Sequence, residues 1–221
     1  MKGLELCREY FENYGRAMLE EFPEIKDRIA VGLAGEGSEC LGFDDELSRD
    51  HDFEPGFCLW LTKEDERAYG FKLSRAYAKL PKEFKGFRRQ MMSPLGGDRH
   101  GVLIIDDFYN KFLGSAHAPE TVREWLYTPE HYFLTASDGE VWEDKLGVFS
   151  AVRETLLRGF PEDVRKKKLA ARAAMMAQAG QYNFARCIDR KENGAAQFAV
   201  FDFVKNAIGT VYLLSLIHIS E

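Results

Sequence analysis

Asp50 and Asp52 stand two residues apart, with His51 between them, in the string Ser48-Arg49-Asp50-His51-Asp52-Phe53. On an extended segment alternate side chains share a face, so the two carboxylates point one way and His51 the other. Two like charges side by side repel. A divalent cation that prefers oxygen ligands removes that cost, and Mg²⁺ is the ion expected. Upstream, the apolar run Ile29 to Leu33 leads into Gly35, Gly37 and Ser38. Lacking a Cβ, glycine lets backbone N–H groups come close to a phosphate. A phosphate cradle next to a paired-carboxylate metal site suits phosphoryl or nucleotidyl transfer. Arg49 beside the pair faces away from the metal on a regular strand, and its role stays open between an ion pair and a phosphate contact. His51 and His100 read as packed or hydrogen-bonded structural residues, and Lys166-Lys167-Lys168 as a solvated helix face.

These residues carry a resemblance. Gly37-Ser38, a spacer and Asp50-x-Asp52 resemble the signature of the DNA polymerase β-like nucleotidyltransferase superfamily. The fuller string runs Gly35-Glu36-Gly37-Ser38-Glu39, Gly42, Asp44-Asp45-Glu46 and Ser48-Arg49-Asp50-His51-Asp52-Phe53. It is similar to one branch, the DUF4037 family, related to the small-molecule (kanamycin-type) nucleotidyltransferases. The resemblance implies an α+β nucleotidyltransferase fold, a small mixed β-sheet with flanking helices, followed by a helical bundle. It also implies Mg²⁺-dependent transfer of a nucleoside monophosphate from a nucleoside triphosphate, ATP first, to an acceptor hydroxyl or amine on a small molecule. Asp50 and Asp52 would then be the metal ligands, with Gly37, Ser38 and Arg49 on the nucleotide. The superfamily carries a third carboxylate on the strand beside the Asp-x-Asp strand, as a ligand or as the base for the attacking hydroxyl. Asp106 is the candidate here; Asp107 competes, and a helix cap is the alternative reading of Asp106. Asp44, Asp45 and Glu46 read either as a solvated acidic loop or as support for the site. Gln181-Tyr182-Asn183 with Arg186 and Arg190 is similar to a polar cluster of the family's helical part. A rival class is a non-catalytic nucleotide-binding or protein-interaction module of the same fold, antitoxin-like.

Composition sets bounds on these readings. A chain of 221 residues suits one large domain or two small ones, and 45% hydrophobic with 30% charged residues is ordinary for a globular protein. A formal net charge of -6 offers no general basic field to draw nucleic acid, which makes RNA the least favoured acceptor. Cys7, Cys40, Cys58 and Cys187 form no CxxC pair, so neither a zinc site nor a disulfide framework is expected, and a reducing, cytoplasmic setting fits. No apolar run is long enough to span a bilayer. The tail Ser215-Leu216-Ile217-His218-Ile219-Ser220-Glu221 resembles a translated sequencing-adapter fragment, so the native chain is expected to run on past residue 214 with other residues.

The elements that must position the site follow from periodicity. Leu4 to Glu21 has apolar residues at helical spacing and is predicted as the first helix. Arg28 to Ala34 is a strand ending in the glycine-serine turn, and Ser48 to Leu61 is a second strand carrying both aspartates, bent at Pro55-Gly56. Thr62-x-x-Asp65 opens a helix to Leu80. Gly101 to Asp106 is a third strand with Val102, Ile104 and Asp106 on one face. Short helices are expected at 107 to 113 and 122 to 126. Tyr132 to Ala136 and Glu140 to Asp144 read as a hairpin around Asp138-Gly139. Helices from Phe149, from Glu162 to Ala179, from Asn183 to Lys191 and from Ala195 to Leu214 complete the chain. The expected division is 1–150 as the nucleotidyltransferase-like domain, 151–214 as a helical domain, and 215–221 as the adapter-like tail.

Overall fold

The computed structural model describes residues 1–45, 53–89 and 99–215. The chain divides into two compact units, one of residues 1–119 and 128–156, the other of residues 120–127 and 157–221.

The first unit opens with α1 (Gly3–Tyr10), which continues through a wide π turn (Phe11–Gly15) into α2 (Arg16–Glu20). Leu6, Cys7, Tyr10, Phe11, Met18 and Leu19 recur at helical spacing and are buried, so one stripe faces the core. A 3₁₀ turn (Lys26–Arg28) leads into β1 (Ala30–Ala34), and β2 (Cys58–Leu61) follows; every residue of both strands is buried. α3 (Lys63–Lys79) begins where Thr62 accepts a hydrogen bond from the Asp65 N–H at 3.1 Å, and the buried Asp65 is gripped by Arg28. A two-residue hairpin, β3 (Glu83–Phe84) with β4 (Phe87–Arg88), precedes β5 (Gly101–Ile104) and α4 (Ile105–Leu113). After α5 (Val122–Tyr127), which belongs to the second unit, come α6 (Glu130–Ser137), β6 (Gly139–Glu143) and α7 (Val148–Leu157).

The four main strands form one small mixed sheet in the order β5-β2-β1-β6. β1 runs antiparallel to both β2 and β6, while β2 and β5 are parallel. Gly32 pairs with Cys58, Cys58 with Gly101, and Ala34 with Gly139. The end of β1 and the starts of β2, β5 and β6 therefore meet at one end of the sheet. Tyr10, Phe11, Ile29, Val31, Phe57, Leu59, Leu61 and Tyr77 form the core on one face. Tyr77 ties the start of β2 to α3: its hydroxyl accepts from the Phe57 N–H at 3.0 Å and donates to the Phe57 carbonyl at 2.8 Å.

The second unit is helical: α5, α8 (Glu162–Met176), a π segment (Ala177–Phe184), α9 (Ala185–Asp189) and α10 (Asn193–Ser215). α10 packs on α8 and the π segment, and Trp125 of α5 meets Phe160 edge-on at 5.7 Å. α10 also leaves Phe198, Phe201, Ile208, Val211 and Tyr212 exposed. No described helix is long and apolar enough to cross a membrane.

Three expected elements differ. The expected hairpin at 132–144 is a helix, α6, followed by the strand β6. Phe133, Ala136 and Ser137 are buried at helical spacing, which outweighs the strand preference of Tyr132, Phe133 and Thr135. The third strand stops at Ile104, and Asp106 lies in the first turn of α4 because burying Ile105, Tyr109 and Phe112 requires a helical repeat from 105 onward. The second strand begins only at Cys58 within the described residues, and 53–57 reach it as irregular chain.

Candidate functional site

The end of the sheet where β1 stops carries the candidate site. Gly35 and Gly37 have φ of 108° and 129°, a region that side-chain-bearing residues avoid. The turn they build is closed by the Gly37 carbonyl accepting from Leu41 N–H at 3.2 Å and the Ser38 carbonyl from Phe43 N–H at 2.8 Å. The backbone N–H groups of Gly37 and Ser38 donate to no protein acceptor among the described residues.

Arg99, just before β5, reaches over this turn. Its Nη2 donates to the Glu36 carbonyl at 2.8 Å and to the Glu39 carboxylate. The pair is largely sheltered, with Glu39 the more buried partner. A Cβ added to Gly37 would overlap the Arg99 guanidinium and lie 2.6 Å from Glu39 Oε2. The glycine thus leaves room for an ion pair that lies across the turn. Beside it opens a cavity of about 340 Å³ whose wall includes Gly35, Glu36, Arg99, Phe108, Lys111 and Phe112. Lys111 comes from the far end of α4 and meets the Glu36 carboxylate at 2.7 Å; both side chains are half exposed. His100 Nδ1 lies 3.3 Å from Glu54 Oε1, and the ring is buried, as expected of a structural histidine.

Three buried thiols lie below the turn. Cys7 Sγ approaches the Glu54 carbonyl at 3.4 Å, and Cys58 Sγ the Arg99 carbonyl at 3.1 Å. Burial pushes the Cys7 thiol up to about 12, and pushes Cys40 and Cys58 upward as well; the neighbouring Glu39 carboxylate adds to all three. None of the three is a thiolate at neutral pH.

Asp50, Asp52 and Arg49 lie outside the described residues. Their described flanks converge at the start of α1. Asp44 is buried and accepts from the Gly3 N–H at 2.6 Å and the Lys2 ammonium at 2.9 Å. Burial pushes its carboxyl up, but the Lys2 and Gly3 hydrogen bonds outweigh burial and hold it below the usual carboxylate range. Asp44 is therefore the anchor of a helix start rather than part of a solvated loop. On the other flank, a Cβ on Gly3 would lie 3.3 Å from the Phe53 ring, which packs on Phe87 at 4.8 Å.

Asp106 is not brought to the glycine turn. α4 starts at the Ile104 end of β5 and runs back along the sheet, so Asp106 lies at the opposite end of the strands, 3.1 Å from Lys63 Nζ. β5 itself reads Gly-Val-Leu-Ile and carries no carboxylate. Among the described residues no group of three or more His, Cys, Asp or Glu side chains is placed to hold a metal ion. The two expected Mg²⁺ ligands, Asp50 and Asp52, lie outside the described residues, while Asp107 and Glu66 line the cavity beside the glycine turn. Sequence reasoning missed Arg99, Lys111 and the pairing of Glu39. For Arg99 and Lys111 no local signal exists, since only the parallel β2–β5 pairing and the return of α4 bring them to the turn. Glu39 had one signal, its place in the Gly-Glu-Gly-Ser-Glu string.

The model of a family described as a domain of unknown function, DUF4037, matches residues 125–219. This supports the family that the sequence resembles; the matched stretch lies beyond Gly37, Ser38, Asp50 and Asp52. No curated protein and no solved structure matches the chain.

Proposed function

We propose that the first unit is a nucleotidyltransferase-type domain that binds a nucleoside triphosphate, ATP first, with Mg²⁺, and passes its nucleoside monophosphate to a small-molecule acceptor. The observation that supports this best is the glycine turn at the end of β1. Two of its backbone N–H groups, those of Gly37 and Ser38, donate to no acceptor among the described residues, the Arg99 guanidinium lies close by, and the adjoining Gly35 and Glu36 line a cavity. Backbone donors in a tight turn and a planar cation are the groups that grip phosphate oxygens. In this reading Gly37 and Ser38 hold the β- and γ-phosphates, and Arg99 and Lys111 supply positive charge. Asp50 and Asp52 would hold Mg²⁺, which neutralises charge on the phosphates when bound. Asp106, paired with Lys63 at the other end of the strands, takes no part.

One observation favours the rival reading, nucleotide binding without transfer. β5, the strand parallel to β2, is entirely apolar where the superfamily would place its third carboxylate.

The test is titration of the full chain with Mg²⁺-ATP and with each other nucleoside triphosphate, together with release of pyrophosphate. The variant Asp50→Asn with Asp52→Asn is expected to bind at least roughly tenfold more weakly, a loss in keeping with one charged contact. Equal affinity in the variant and the parent would end the metal assignment. Saturable binding with no pyrophosphate released on any acceptor would select the binding module.

A further inference from the structure

The ion pair over the glycine turn carries an inference that rests on the nucleotide reading and sharpens it. The Arg99 guanidinium lies where a Gly37 Cβ would be, and the Glu39 carboxylate, nearly buried, is paired with it 2.6 Å from that position. A phosphate seated on the Gly37 and Ser38 N–H groups would meet two things there: a cation that suits it and a carboxylate that repels it. A carboxylate and a phosphate present similar oxygens to an arginine fork, so they compete for the same donors. We infer that Glu39 acts as an internal stand-in for phosphate. It holds Arg99 across the turn while the site is empty, and a polyphosphate must displace it to take Arg99.

Two consequences follow from charge. A ligand with a single phosphate has little advantage over a carboxylate that is already in place, whereas a triphosphate brings several negative charges to the same donors. The exchange therefore sets the site's preference for polyphosphates. It also makes Arg99 and Glu39 act with opposite signs, although they form one pair. A pair that only braced the fold would act with the same sign, since losing either partner would loosen the turn.

The test uses the full chain, with inorganic tripolyphosphate, Mg²⁺-ATP and AMP as probes, and Arg99→Gln, Glu39→Gln and the double variant. Arg99→Gln is expected to weaken tripolyphosphate and ATP by roughly tenfold or more and to leave AMP little changed. Glu39→Gln is expected to tighten tripolyphosphate and ATP by a similar factor, and the double variant to match Arg99→Gln. Binding by Glu39→Gln where the parent binds nothing also supports the exchange. Glu39→Gln binding more weakly than the parent makes the pair a brace and overturns the inference. So does an Arg99→Gln variant that binds as the parent does, with the nucleotide reading left standing. If neither the parent nor Glu39→Gln binds any probe, the nucleotide reading falls and takes this inference with it. Melting temperatures of all four proteins separate lost binding from lost folding.

Discussion

At the scale of single residues, burial decides what the thiols can do. Cys7, Cys40 and Cys58 are buried and their thiols are pushed up, whereas Cys187 is partly exposed. Only the thiolate is the reactive form, and access matters as much as charge. Under native conditions at pH 8 an aromatic disulfide reagent is therefore expected to label one thiol per chain quickly, Cys187. Three more should follow only with denaturant. Rapid native labelling of Cys7, Cys40 or Cys58 would show that the layer under the glycine turn opens readily. The same scale explains which residues of the candidate site stood out in the sequence. Gly37 and Ser38 announce themselves by type and by following an apolar run. Arg99 does not: an arginine beside a histidine and a glycine looks like any loop cation until a strand pairing sets it over a turn sixty residues away.

At the scale of elements, the start of β2 is tied to α3 by one side chain and to β5 by the Gly101 N–H, which donates to the Phe57 carbonyl at 2.8 Å. The Tyr77 hydroxyl satisfies both the N–H and the carbonyl of Phe57, in a place closed to water. Tyr77→Phe keeps the ring and removes both bonds. A buried N–H left without its acceptor costs about 1–3 kcal/mol. Urea unfolding is expected to show a loss of that size, and a loss below about 0.5 kcal/mol would mean the strand start is held by its ladder alone. Helices with clear start signals were legible in advance. Thr62-x-x-Asp65 opens α3 one residue later, and Pro161 leads into α8. The stretch from 132 to 144 was not, because aromatic and β-branched residues argued for a strand while the helical spacing of Phe133, Ala136 and Ser137 was too short to stand out. Asp106 failed similarly: one further alternating residue looked like more strand, but the apolar residues at 105, 109 and 112 had already changed period.

At the scale of the molecule, charge and exposed apolar surface oppose each other. The formal net charge is -6 at pH 7 and the isoelectric point is near 5.5, while α10 exposes Phe198, Phe201, Ile208, Val211 and Tyr212. Mutual repulsion keeps such surfaces apart, and it vanishes at the isoelectric point. Light scattering is thus expected to rise as pH falls from 7 toward 5.5 and to drop again below it. Phe201→Ser with Ile208→Ser should flatten that rise without lowering the melting temperature, since both side chains face water. A rise of equal height in the double variant would place the sticky surface elsewhere.

The pairing of Ala34 with Gly139 bears on how the protein is made. β1 emerges early from the ribosome, yet its neighbour on one side is translated long afterwards. Until then its backbone groups on that flank have no ladder to join, and contacts so distant in sequence form slowly. A nascent chain halted before Gly139 should consequently be a good client for chaperones, and releasing the block should restore the sheet.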